Sequence, residues 1–98
     1  MKPDCDKLRE RVERGAQLLD RLEPDWFKVI DPEYLDMEKC SRCILGQLHG
    51  DYFHSPVYEQ IIGMQADPDE YGFDVFRTPG YDHYDLREAW LDELRRRI

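Results

Sequence analysis

Cys40-Ser41-Arg42-Cys43 is the one run in this sequence whose residue types and spacing carry recognisable chemistry. Two thiols separated by two residues can bind zinc or iron, or can run thiol–disulfide exchange. A closed zinc site needs two further ligands, and the sequence offers His49, His54, His83 and Cys5. The run from Cys43 to His49 and His54 is too short for a zinc finger, which sets about a dozen residues between its ligand pairs. A thioredoxin-like use wants a strand before the motif and a βαβ context, and neither pattern precedes Cys40. Both thiols are therefore expected as small buried residues on the core face of a helix. Metal binding by Cys40 and Cys43, with ligands shared across a dimer, is the alternative, and no cofactor is expected.

His49, His54 and His83 stand near Asp51 or Asp82, but the sequence sets no nucleophile beside a base and an orienting acid. No catalytic residue is assigned, and the chain is expected to be non-enzymatic. The run from Gly46 to Asp51 has two glycines yet lacks the lysine of a phosphate loop and the dinucleotide spacing. Gly46 inside a helix costs about 1 kcal/mol against alanine, which points to tight packing on another helix.

The charge distribution says more. Fourteen Lys and Arg stand against 22 Asp and Glu in 98 residues, a net charge of −8. That balance argues against direct binding of nucleic acid or of an anionic membrane, both of which need a positive field. The acidity is regional: between residues 44 and 85 Arg77 is the lone cation among eight carboxylates. Asp67, Asp69, Glu70 and Asp74 interleave there with Tyr71 and Phe73. Acids steer encounter with a basic patch and aromatics anchor it, so these six residues, with Tyr52 and His54 from the preceding turn, form the expected partner-binding surface. A further alternative is an acidic mimic of nucleic acid, since in an extended segment Asp67 and Asp69 would lie roughly 7 Å apart on one side.

These residues need positioning elements, and the hydrophobic spacing supplies helices. Cys5, Leu8, Val12, Ala16, Leu19 and Leu22 form one face of a helix over about Asp4–Glu23, capped by Asp4 and stopped by Pro24. Its other face carries alternating charges and reads as solvated. Two proline-led turns follow, with Trp26, Phe27, Val29, Ile30, Tyr34 and Leu35 expected to fill the core. Asp36 is placed to cap a helix over Met37–His49 that Gly50 closes, and Ser55-Pro56 opens another through Met64. Pro68, Gly72, Pro79 and Gly80 break the pattern, and Phe73 and Phe76 could be pinned there. Leu86, Trp90, Leu94 and Ile98 line a last helix that starts near Asp82 or Asp85. The expected architecture is all-α: a compact bundle of three to four helices, one domain over residues 1–98, with an irregular acidic segment before the last helix.

Asp36-Met37, Cys40-Ser41-Arg42-Cys43, Leu45-Gly46-Gln47-Leu48, Gly50-Asp51-Tyr52, Gly72-Phe73, Tyr84-x-Leu86 and Ala89-Trp90 resemble small uncharacterised proteins of actinobacteria and their phages. The resemblance spans about residues 15–95 and carries no activity or ligand set. It implies a compact accessory or inhibitor protein that binds a host or cognate protein. No apolar stretch is long enough for a membrane span or a secretory signal, so a cytoplasmic setting with reduced thiols is expected. The same reading admits a homodimer.

Overall fold

The computed structural model describes residues 5–75 and 80–97, without the side chains of Cys5 and Asp6. The expected roles of Asp4, Cys5, Phe76, Arg77, Pro79 and Ile98 lie outside the described residues. Every regular element among those described is helical. Helix α1 spans Cys5–Leu22, and Leu8, Val12, Ala16 and Leu19 are buried as their spacing predicts, joined by Leu18. The chain then reverses through Asp25, at φ 64°, into the single turn α2, Trp26–Val29. Trp26 and Ile30 take the inward positions, which leaves Val29 and Tyr34 exposed and not in the core.

The largest departure from the sequence pattern lies at residues 37–49. Residues 37–42 form successive turns, and helix α3 covers only Ile44–His49. A continuous helix would need the Arg42 carbonyl to accept from Gly46 N–H. That carbonyl instead accepts from Asp36 N at 3.2 Å and from Gln47 Nε2 at 3.1 Å. Gly46 N–H turns to the Cys43 Sγ at 3.3 Å, so Cys43 caps the helix that Asp36 was expected to cap. Asp36 caps a turn, its Oδ1 accepting from Glu38 N at 3.0 Å. Gly46 is packed on this turn and not on another helix: a Cβ there would lie 2.6 Å from the Ser41 carbonyl carbon and against the Cys40 carbonyl oxygen.

Helix α4, Pro56–Gly63, begins as expected, with Ser55 accepting from Val57 N at 3.1 Å. Val57 and Ile61 are its buried residues. A short 3-10 turn, Pro68–Tyr71, follows, and helix α5 covers His83–Arg97. Asp82 and Asp85 cap α5 reciprocally, Asp85 N donating to Asp82 Oδ1 at 2.8 Å and Asp82 N to Asp85 Oδ2 at 3.2 Å. No helix among the described residues is long and apolar enough to cross a membrane.

Trp90 of α5 is the centre of the core and fully buried. Its ring stacks on Phe73 at 5.5 Å and meets Trp26 edge-on at 5.7 Å, while its Nε1–H donates to the Gly72 carbonyl at 2.6 Å. Gly72 itself crosses α1 so closely that a Cβ would sit 2.7 Å from the Val12 Cα, and Gly15 leaves room for the Tyr71 carbonyl. At the far end of α5, buried Glu93 pairs with Arg96 at 2.6 Å and Arg97 at 3.5 Å, and Arg97 reaches Asp20 of α1 at 2.8 Å.

Two substitutions test this core. Trp90→Ala should lower stability by roughly 3–5 kcal/mol, read from the urea midpoint, because it opens a cavity and strands the Gly72 carbonyl. Gly46→Ala should cost about 1–3 kcal/mol through overpacking, whereas Gly63→Ala, which meets nothing within 4 Å, should be neutral or slightly stabilising.

Candidate functional site

The two cysteines part company in space. Cys40 is exposed, whereas Cys43 is 2% exposed and inside the core cluster. Only one of the pair therefore takes the buried role expected of both. Burial pushes the Cys43 thiol from 9.0 up to about 11, against the opposing Gly46 N–H bond. Among the described residues, no three His, Cys, Asp or Glu side chains come together to hold a metal ion.

The histidines are recruited locally. His54 lies 3.0 Å from Asp51 Oδ2, and His83 lies 3.3 Å from Asp74 Oδ1. His49 makes a contact that its sequence neighbours do not signal: its Nδ1 is 2.8 Å from Ser55 Oγ and its Nε2 is 2.8 Å from Glu23 Oε1. Glu23, His49 and Ser55 thus repeat the residue types of a hydrolytic triad. The burial runs the wrong way for catalysis. Ser55 is fully buried and its Oγ already caps α4, while the Glu23 side chain is 43% exposed. Both His49 ring nitrogens and the Ser55 hydroxyl have partners within the relay, and Ser55 Oγ accepts from Val57 N as well. The relay ties the chain just after α1 to the ends of α3 and α4.

The predicted partner-binding residues divide between interior and surface. A groove of about 520 Å³ opens between α4 and the Pro68–Tyr71 turn, and Asp67, Asp69, Glu70 and Asp74 line it. Tyr52, Phe53 and Tyr58 supply its aromatic wall, their rings 4.9–5.5 Å apart, and Ile62 adds an aliphatic edge. Phe53 and Ile62 are 56% and 47% exposed. Phe73 is buried against Trp90 and is a core plug, and Asp69 and Tyr52 show only 3% and 7% of their surface. Burial pushes the Tyr52 phenol up, with the Asp74 carboxylate adding to the effect. Tyr71 and His54 do not line the groove.

Phe53, Tyr58 and Ile62 were missing from the predicted surface. Val57–Ile61 and Tyr58–Ile62 are both apolar pairs at i, i+4, and α4 can bury only one of them. That redundancy was the available signal. The charged face of α1, which reads as solvated in the sequence, is also used: Arg11 Nη1 donates to the Asp69 carbonyl at 3.2 Å and Arg14 Nη1 to the Glu70 carbonyl at 3.0 Å. These contacts hold the acidic turn in place and bring two cations beside it. Because the segment is a 3-10 turn and Asp69 is buried, Asp67 and Asp69 do not lie in the extended row that the sequence suggested.

No family of known proteins, no curated protein and no solved structure matches this chain.

Two outcomes follow from this geometry. Ser55→Ala should cost about 1–2 kcal/mol in thermal or urea unfolding, while a fluorophosphonate probe should leave wild-type Ser55 unlabelled. Because the folded state raises the Cys43 pKa, stability is fully present below pH 9 and falls as pH rises toward about 11. The loss should reach about 2–3 kcal/mol across that window. Cys43→Ser should remove the fall between pH 9.0 and 10.0 and leave above it the fall that comes from the buried Tyr52 phenol, which is raised from its ordinary 10.0.

Proposed function

We propose that this protein is a non-enzymatic, cytoplasmic interaction module that receives a basic segment of a host or cognate protein in the groove between α4 and the Pro68–Tyr71 turn. One observation carries the reading: four carboxylates and three clustered aromatic rings line a single open groove, and Phe53 and Ile62 stand exposed at its wall. A lysine or arginine side chain suits such a site, because the carboxylates offer charge-assisted hydrogen bonds and the rings offer cation–π faces. Phe53 and Ile62 give the groove an exposed apolar wall that a docked segment would cover, which is where an anchoring contact is desolvated. The acidic steering field extends beyond the groove through the net charge of −8.

An NMR titration with short arginine- and lysine-rich peptides tests the reading. Shifts should concentrate at residues 52–53, 58, 62 and 65–70, with affinity falling as salt rises through the on-rate. The combined variant Asp67→Asn, Glu70→Gln and Asp74→Asn should slow association roughly ten-fold at low salt while leaving the fold intact, since each amide keeps an acceptor oxygen. Phe53→Ala should act on dissociation instead. Shifts confined to another face, or kinetics unchanged in the amide variant, would reduce the groove to a solvated surface.

A further inference from the structure

The groove leaves the two thiols unexplained, and their arrangement has chemistry of its own. The Lys39 carbonyl accepts from both Arg42 N at 3.1 Å and Cys43 N at 3.0 Å, so Cys40 to Cys43 spans one helical turn. Side chains three apart on such a turn lie roughly 5–6 Å apart at Cβ. A disulfide needs about 3.5–4.5 Å, a small closure for a segment made of turns and not of a continuous helix. The Cys43 sulfur already turns back on residue 40, lying 3.8 Å from its carbonyl oxygen. Both cysteines border the same small recess of about 80 Å³ beside Asp74 and His83. One thiol is exposed and its partner is enclosed, which divides the work of an exchange reaction between an attacking and a resolving sulfur.

We propose that Cys40 and Cys43 form a reversible intrachain disulfide, with Cys40 meeting a low-molecular-weight disulfide oxidant and Cys43 resolving the adduct. The Cys40 thiolate attacks one sulfur of the small disulfide, whose S–S bond breaks, and the departing thiolate takes up a proton. Cys43 then gives its proton to solvent and attacks the Cys40 sulfur. The mixed S–S bond breaks and releases a second small thiol. Two protein thiols are oxidised, and one small disulfide is reduced to two thiols. Enclosure keeps Cys43 from meeting the oxidant first. The inference is independent of the groove, although Cys40 also holds the Tyr52 amide through its carbonyl at 2.9 Å.

The sequence makes the test direct. Trypsin cuts after Lys39 and Arg42, so Cys40 leaves in the tripeptide Cys40-Ser41-Arg42 and the next peptide begins at Cys43. Folded protein is treated with oxidised glutathione, free thiols are alkylated in denaturant, and the digest is mapped by mass spectrometry. The expected product is the tripeptide linked to the Cys43 peptide, lost on treatment with dithiothreitol. Cys43→Ser should stop at a glutathione adduct on Cys40, and serine there keeps an acceptor for the Gly46 amide. Cys40→Ser should leave Cys43 reacting roughly ten-fold more slowly than Cys40 does in the wild type, as enclosure disfavours the thiolate. A lasting glutathione adduct on wild-type Cys40, a bridge to Cys5, or two alkylated thiols after oxidation would each overturn the proposal. The wild-type map decides the matter even where a variant fails to fold.

Discussion

The hydrogen bond from the Trp90 indole to the Gly72 carbonyl joins two features that would otherwise conflict. The segment after the Pro68–Tyr71 turn must pass through the core to insert Phe73, and its backbone polar groups must be satisfied there. Trp90 satisfies the Gly72 carbonyl with its single donor, while Gly72 N and Phe73 N donate to the Asp69 and Pro68 carbonyls, each at 3.1 Å. Stacking on Phe73 and edge contact with Trp26 extend the same indole toward α2. Glycines at positions 15 and 72 allow the backbone crossing against α1 that brings the carbonyl within reach. The acidic turn, α1 and α5 are thereby fastened around one side chain.

This arrangement explains why an acidic segment with little regular structure is held in one place. Its backbone carbonyls accept from Arg11 and Arg14, and Asp67 caps the 3-10 turn by accepting from Asp69 N at 3.1 Å. The carboxylates beside the groove are therefore fixed against a rigid helix, which lowers the entropy cost of presenting them to a cation. Helix α4 supplies the opposite wall because Val57 and Ile61 are anchored inward, leaving Tyr58 and Ile62 toward the groove.

The cysteine motif is largely a folding device. Arg42 donates to the Tyr34 carbonyl at 3.0 Å and stacks on the Tyr34 ring, Cys43 caps α3, and Gly46 admits the Cys40–Ser41 backbone. Gln47 grips Asp31 from both sides, accepting from its N–H at 2.7 Å and donating to its carbonyl at 3.2 Å. Cys40 and Ser41 are the exposed pair within this run, so their side chains are the ones that solution reagents meet first. Arg87 of α5 closes the same region by donating to the Leu35 carbonyl at 2.7 Å.

Hydrophobic spacing by itself determined α1, α4 and α5, with the Ser55 cap and the inward stripe of Leu86, Trp90 and Leu94, because each depends on residues within a turn or two of one another. Regional acidity was equally legible as composition, but of the groove's aromatic rings only Tyr52 was; Phe73 lies in the core and Phe53 and Tyr58 take the wall instead. Tertiary structure decided whatever rested on competition for a partner. Residues 37–42 lost their helix because Gln47 and Asp36 took the Arg42 carbonyl. Phe73 became core and Phe53 surface because Trp90 offered a stacking face to the first alone. The Glu23–His49–Ser55 relay joins Glu23 to residues 26 and more positions away, and its contacts and burial exist only once α1, α3 and α4 are packed.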